Sequence, residues 1–212
     1  MPDKLNIAVF ASGRGSNFRA ILDAIRSGTI PGAAVVLAVS NNPGSGALEI
    51  ARENNIPALH ISEKQFPAEE HFTKALLDAL AAHEVNFVAL AGYMKMLPGP
   101  LVRRFRNRIV NIHPALLPAH GGKGMYGMHV HEAVIASGEK RSGATVHIVD
   151  EDYDRGPIVL QREVSVDAGD TPERLAARIL PVEHEIYPEA IRLFAEGRVT
   201  VNGRTVTITA KP

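Results

Sequence analysis

Apolar residues recur in short runs that alternate with amphipathic stretches along the first half of the chain. Runs rich in apolar and β-branched residues predict buried strands, at 5–10, 34–39, 57–60, 87–90 and 109–112. Apolar positions on one face predict the helices between them, at about 18–25, 47–53, 68–83 and 101–105. This alternation predicts an α/β fold, a Rossmann-like and mostly parallel twisted sheet flanked by helices.

The second half of the chain has a different pattern of predicted helices and strands. A helix is predicted at 131–137, followed by strands at 145–149 and 158–166, which we expect to pair antiparallel because their connection is too short for a helical crossover. Thr171 and Pro172 are typical of a helix start, and this helix is expected to run to about residue 196. Pro181 and Pro188 are expected to bend or interrupt it. Asn202-Gly203 predicts a hairpin.

The amino-acid composition limits the classes of protein to which the chain can belong. The 212 residues are 45% hydrophobic, which suits one domain over residues 1–212 with a substantial core. The 23 basic and 23 acidic residues balance, so no nucleic-acid or membrane partner is expected. Cysteine is absent, which excludes disulfides and thiolate chemistry. With no apolar stretch of signal or membrane-spanning length, we expect a cytoplasmic protein.

Polar side chains end the predicted strand at 109–112. Asn111 and His113 offer hydrogen-bonding groups on a backbone that Pro114 and Pro118 restrict. Such a rigid polar strand end suits a reactive site. A surface turn carrying the same residues is the alternative that local chemistry leaves open.

The glycine turn at 12–17 precedes the first predicted helix. Backbone N–H groups at a helix start lack partners, so Gly15, Ser16 and Asn17 could hold an anion, and a phosphate is the natural guest. The turn lacks the lysine of a P-loop and the third glycine of a dinucleotide fingerprint, which favours a monophosphate. A tight turn that merely needs glycine is the alternative.

The acidic loop at 150–157 carries Asp154 before Arg155-Gly156-Pro157, a sequence that can force a sharp reversal. If Asp154 meets His113, the carboxylate should raise the histidine pKa and orient the ring. A solvated acidic loop is the alternative. His147, in the preceding strand, is either a core histidine or a supporting one. His129 and His131 are spaced two apart, which does not place two ligands on one helical face, so no metal site is predicted.

Five segments together resemble the phosphoribosylglycinamide formyltransferase family, a group of folate-dependent formyltransferases. They are SGRGSN at 12–17, AGYMKML at 91–97, NIHPALLP at 111–118, DRGP at 154–157 and EHEIYP at 183–188. The resemblance implies transfer of a formyl group from 10-formyltetrahydrofolate to the amine of 5'-phosphoribosylglycinamide in purine biosynthesis. It implies two small-molecule substrates, no metal, and a monomer or homodimer.

The resemblance also implies roles for residues. Asn111, His113 and Asp154 fall on catalytic positions, and Gly15, Ser16, Asn17 and Glu183 on positions that contact the ribonucleotide. The folate-binding positions are Met94, Lys95, Met96, Leu97 and Asn111. Phosphate binding is thereby assigned to about residues 1–100, and folate binding and catalysis to about 101–212.

The chain departs from the family pattern in three places. Ala115 replaces the usual serine, the loop at 119–130 is longer, and no arginine stands near Glu69 to contact folate. Two alternatives remain open, namely hydrolysis of the formyl donor and a non-catalytic folate- or nucleotide-binding module.

Overall fold

The computed structural model describes residues 4–210. The terminal residues 1–3 and 211–212 of the predicted domain lie outside the described part. Its strands are β1 (Leu5–Phe10), β2 (Ala33–Ser40), β3 (Ala58–His60), β4 (Phe87–Leu90), β5 (Ile109–His113), β6 (Arg141–Ile148), β7 (Ile158–Ser165), β8 (Val199–Asn202) and β9 (Thr205–Ile208). Its helices are α1 (Ser16–Arg26), α2 (Gly46–Glu53), α3 (Glu69–Ala82), α4 (Gly99–Arg104), α5 (Met128–Ser137) and α6 (Pro172–Ala195), with a 3-10 turn at Glu63–Gln65.

Seven strands form one sheet in the order β3-β2-β1-β4-β5-β6-β7. The first five run parallel, and β6 and β7 pair antiparallel as predicted. β8 and β9 form a separate antiparallel hairpin around the Asn202-Gly203 turn. The predicted α/β class with an antiparallel C-terminal part is therefore confirmed.

The starts of two elements differ from the prediction by three or more residues, and one helix differs in its continuity. β6 begins at Arg141 rather than residue 145, because backbone pairing with β7 extends through polar residues that carry no apolar pattern. α5 begins at Met128 rather than residue 131. α6 is continuous over its 24 residues with Pro181 and Pro188 inside it, so of the expected bend or interruption, the interruption does not occur. Packing of its buried face against the sheet offsets the hydrogen bonds that the prolines cannot donate.

The core has two parts, one on each face of the sheet. Alternation along β1 sends Ile7 and Val9 to one cluster and Ala8 and Phe10 to the other. The first cluster includes apolar residues of α1 and α6, and the second those of α3 and α4. Both faces are thus covered by helices, as the near-continuous apolar strands require.

One row of residues crosses the sheet in register. Val39 pairs with Phe10, Phe10 with Leu90, Leu90 with Asn111, and Asn111 with His147. Because neighbouring strands lie about 4.8 Å apart, the carboxyl end of β1 is about 10 Å from Asn111. The loops that follow β1, β4 and β5 therefore surround one region at the sheet edge.

Within residues 4–210, none of the helices combines the length and the apolar character that a membrane crossing needs.

Candidate active site

β5 presents Asn111 and His113 on the same face of the sheet, since residues two apart along a strand share a face. His113 is buried and Asn111 is half-buried. The site is thus built on a strand of the central sheet, which holds both side chains in place.

The His113 ring is held from two sides. Its Nε2 lies 2.8 Å from the carbonyl oxygen of His120, and a carbonyl only accepts, so Nε2 carries a hydrogen and donates it. Its Nδ1 faces Asp154, with 3.7 Å between Nδ1 and the carboxylate Oδ2. A proton added to the neutral ring therefore goes to Nδ1, beside the carboxylate.

The pKa of His113 is lowered, because burial disfavours the charged ring more than Asp154 favours it. The expectation of a raised His113 pKa is therefore wrong. Asp154 does act in the expected direction, but desolvation is the larger effect. Burial thus favours the neutral ring.

Asp154 reaches the site because its loop folds back over the sheet. Gly156 packs so closely that a Cβ atom there would lie 1.7 Å from the Ile148 carbonyl oxygen, which makes glycine necessary for the reversal. Burial would raise the Asp154 pKa, but His147, His113 and the 3.0 Å hydrogen bond from the Gly122 N–H lower it below its ordinary value. The group is a carboxylate aimed at two histidines.

His147 is buried directly behind these groups. Its Nε2 lies 3.1 Å from the Asn111 Nδ2 and 3.5 Å from the Asp154 Oδ1, while its Nδ1 lies 3.0 Å from the Ile148 carbonyl oxygen. The structure therefore brings Asn111, His113 and Asp154 together and adds His147 to them.

The glycine turn at 12–17 leads into α1 as predicted. Gly15 is the residue before the helix, with a φ of 80°, and offers no side-chain cap to the first-turn N–H groups. A Cβ atom at Gly15 would lie 2.9 Å from the Ala47 Cα, so close packing against α2 also requires glycine. The first N–H groups of a helix lack intrahelical partners, so those of Ser16 and Asn17 remain suited to an anion.

Asn17 and Glu183 meet across 166 residues of sequence. The Asn17 Nδ2 donates to the Glu183 Oε2 over 2.6 Å, and both side chains are buried. Burial raises the pKa of Glu183 to about 7. The Asn17 Oδ1 is buried without a hydrogen-bond partner in the described part of the chain, so it can accept from a ligand hydroxyl.

The segment 94–97 borders a cavity of ≈80 Å³ that reaches Asn111, His147 and Asp154. Of the predicted folate residues, Lys95, Met96 and Leu97 line it. Met94 does not line it; its side chain is exposed, and its N–H donates to the Ser12 Oγ over 2.8 Å. Other lining residues were not foreseen, namely Leu90, Tyr93, Val102, Val149, Asp150, Asp152 and Tyr153.

Two larger cavities flank these parts. One of ≈640 Å³ lies between Asp154, the glycine loop and the β8–β9 hairpin. The other, of ≈950 Å³, lies between α1, α2 and α6 and is bordered by Ser16. Within residues 4–210, the structure forms no group of three His, Asp or Glu side chains placed to hold a metal ion.

Comparison with known proteins agrees with this architecture. The sequence profile of the family described as formyl transferase matches residues 5–191. A chloroplastic phosphoribosylglycinamide formyltransferase of Arabidopsis thaliana is 48% identical over 93% of this chain and 68% of its own length. The phosphoribosylglycinamide formyltransferase of Escherichia coli is 35% identical over 93% of this chain and 91% of its own length.

A solved structure shows the same fold. Glycinamide ribonucleotide transformylase 1 of Symbiobacterium toebii superposes with a TM-score of 0.92 at 44% identity, covering 99% of this chain and 96% of that one. The chain therefore belongs to the formyl transferase family.

Proposed function

We propose that the protein transfers a formyl group from 10-formyltetrahydrofolate to the amine of 5'-phosphoribosylglycinamide, giving the N-formyl product of purine biosynthesis. The observation that carries this proposal is the cluster of Asn111, His113 and Asp154 beside the cavity at 94–97. It supplies an amide donor, an imidazole and a carboxylate, which suit acyl transfer to an amine.

The ribonucleotide binds along the carboxyl ends of β1 and β4. Its phosphate takes the free N–H groups at the start of α1, at Gly15, Ser16 and Asn17. Its ribose hydroxyls donate to the orphaned Asn17 Oδ1 and to Glu183. This leaves the amine end pointing along the sheet edge toward Asn111.

The formyl donor binds over the segment 94–97. Lys95, Met96 and Leu97 line the cavity, and Met94 lies exposed at its rim. The cavity volume of ≈80 Å³ is small beside the roughly 300–1,000 Å³ of ordinary ligand pockets. Tyr153 and Met96, both exposed, therefore move to admit the pterin ring.

The chemistry follows from the protonation states. The amine nitrogen attacks the formyl carbon, and the carbonyl oxygen becomes an oxyanion, which the Asn111 amide stabilises by donating to it. The nitrogen, now positive, loses a proton to the neutral His113 at Nδ1, where Asp154 stabilises the imidazolium. The proton then passes to the folate nitrogen as its bond to the formyl carbon breaks.

One assay tests the proposal. Purified protein is incubated with 10-formyltetrahydrofolate, with and without phosphoribosylglycinamide, and formylated ribonucleotide, tetrahydrofolate and formate are quantified. We expect stoichiometric formylated product only when both substrates are present, and loss of turnover in Asn111→Ala and His113→Ala. Formate release without ribonucleotide would favour donor hydrolysis, and ligand binding without turnover would favour a binding module.

The organisation as one domain, the cytoplasmic location and the monomeric or homodimeric state remain predictions of the sequence.

A further inference from the structure

We propose that residues 120–122 of the glycine loop form a backbone clamp on His113 and Asp154, and that Glu139 anchors this clamp through the His120 ring. His120 and Glu139 are thereby positioning residues for the reaction. The inference rests on the proposed function, because it takes His113 and Asp154 as the pair that accepts the proton. It deepens that function by giving the loop a part in it.

The backbone clamp contacts both members of the pair with main-chain groups. The His120 carbonyl oxygen lies 2.8 Å from the His113 Nε2, and two residues later the Gly122 N–H donates to the Asp154 Oδ2 over 3.0 Å. The same Oδ2 lies 3.7 Å from the His113 Nδ1. One short stretch of main chain therefore positions the ring and the carboxylate together. None of these contacts involves residues 123–127.

The carbonyl of the clamp selects one orientation of the His113 ring. A carbonyl oxygen only accepts, so Nε2 keeps its hydrogen whether the ring is neutral or charged. A half-turn of the ring would place carbon atoms against both the carbonyl and the carboxylate, and both contacts would be lost. Nδ1 is therefore the atom that gains and loses the proton, and it faces Asp154.

The backbone on both sides of the contact adopts a conformation that non-glycine residues seldom adopt. His120 has a φ of 52° and Asp154 a φ of 51°, both in the left-handed region. Such conformations persist where the surrounding contacts determine them, and they are concentrated at functional sites. The clamp therefore needs an anchor outside its own main chain.

The His120 ring provides this anchor. Its Nε2 lies 3.0 Å from the Glu139 Oε1, and a carboxylate only accepts, so the ring donates to the segment that follows α5. The His120 side chain is 14% exposed. A cavity of ≈640 Å³ separates Gly121 and Gly122 from the β8–β9 hairpin, so the hairpin does not hold the clamp in place. Loss of the Glu139 carboxylate should let residues 120–122 move away from the pair.

Steady-state kinetics of two substitutions test the anchor. Glu139→Ala removes the acceptor, and we expect kcat to fall by about tenfold, because small misplacements of reacting groups act on the transition state. Both KM values should change by less than about twofold. Glu139→Gln keeps an oxygen that can accept from the His120 ring, and it should retain kcat within about threefold.

Glu132→Ala is the matched control. It removes a second His–Glu pair, in which the His129 Nδ1 lies 3.1 Å from the Glu132 Oε2 on the exposed side of α5. Neither residue contacts the clamp through a described hydrogen bond, so kcat should stay at the wild-type value. A kcat in Glu139→Ala equal to that of the control would overturn the inference.

A double-substitution cycle separates positioning from a general structural effect. If Glu139 acts through the pair, Glu139→Ala should cost little in an Asp154→Asn background, although it costs about tenfold alone. The same loss in both backgrounds would overturn the inference. Wild-type protein without formyl transfer would instead refute the proposed function, so the two failures are distinguishable.

Long-range ¹H–¹⁵N NMR of the wild-type protein tests the clamp without any substitution and without turnover, and it covers the case in which Glu139→Ala does not fold. We expect the His113 Nε2 to carry a hydrogen that exchanges slowly with water, because the His120 carbonyl holds it. A ring with its hydrogen on Nδ1 alone would overturn the inference.

Discussion

His113 lies beside a carboxylate, yet its pKa is lowered because burial withdraws the ring from water. Glu183 shows the same physics with the opposite sign, since burial raises the pKa of its carboxyl to about 7. In both residues the neutral form is favoured before substrate arrives. Asp154 differs from both, since its neighbours lower its pKa and favour the carboxylate.

Asp154→Asn keeps the shape of the side chain but removes the charge that stabilises protonated His113. We expect kcat to fall by about 10²-fold or more, with the KM for the ribonucleotide nearly unchanged, because the loss falls on the transition state. Steady-state kinetics with both substrates measures it, with Asp78→Asn on the exposed face of α3 as the control. Wild-type turnover in Asp154→Asn would remove the carboxylate from the mechanism.

Glu183→Gln should change stability in a pH-dependent way. The carboxyl pKa is 4.5 when unfolded and about 7 when folded, so ionisation destabilises the native state increasingly as pH rises from 4.5 to 7. Relative to wild type, the variant should gain up to about 3 kcal/mol between acid and alkaline conditions. Urea unfolding at about pH 5 and about pH 8 measures the gain. An identical difference at both pH values would contradict the raised pKa.

The sequence predicted which residues form the candidate site better than it predicted which of them contact one another. Asn111 and His113 could be paired from their spacing on one strand, and the Gly156 reversal was foreseen. For His147 the sequence left a core and a supporting role open, because its contact with Asn111 depends on the register between β5 and β6. The Asn17–Glu183 pair needed the path of α6, which no local pattern specifies.

α6 holds its position on the sheet through a single hydroxyl as well as through apolar packing. The Tyr187 hydroxyl, fully buried, lies 2.9 Å from the Leu90 carbonyl oxygen and 3.1 Å from that of Val110. These carbonyls belong to β4 and β5, so the contact joins the helix to the strands that border the site. Glu183 lies one helical turn earlier and is positioned with it.

Tyr187→Phe should lower the free energy of unfolding by about 1–3 kcal/mol, because it leaves buried carbonyl groups without their donor. Tyr93→Phe is the matched control, since the Tyr93 hydroxyl is buried without a partner in the described residues and its removal should cost little. Chemical denaturation measures the free energy of unfolding of both variants. An equal decrease in the two variants would mean that the Tyr187 hydroxyl contributes no net stability.

Element types were predicted well because helices and buried strands each repeat a local pattern. The boundaries that were missed, at Arg141 and Met128, fall where backbone pairing or a loop continues beyond the apolar residues. The prolines of α6 misled for a related reason. Their local cost is real, but tertiary packing of the helix outweighs it.

Two segments that are far apart in the sequence meet in the folded molecule. Asn17 near the start contacts Glu183 near the end, and α1 and α6 share one apolar cluster. The other cluster uses the opposite face of the same strands. Because every part of the core includes the central sheet, loss of the sheet removes both clusters at once.

We therefore expect residues 1–212 to unfold in one cooperative transition. Far-UV circular dichroism, which follows helices, and near-UV signals of the tyrosines should give coincident urea curves. Two separated transitions would instead indicate two units, divided near residue 100. That result would contradict the prediction of a single domain.

Val159 is the extra residue of a bulge, since Val146 pairs with Leu160 and His147 with Ile158. Because side chains alternate along a strand, deleting one residue here would reverse the faces of part of β7 and disturb the partner strand that carries His147. Natural variation in length is therefore expected at the 119–127 loop and the β8–β9 turn. Selection should remove even a deletion of the Val159 codon alone, because the site requires β7 to keep its length.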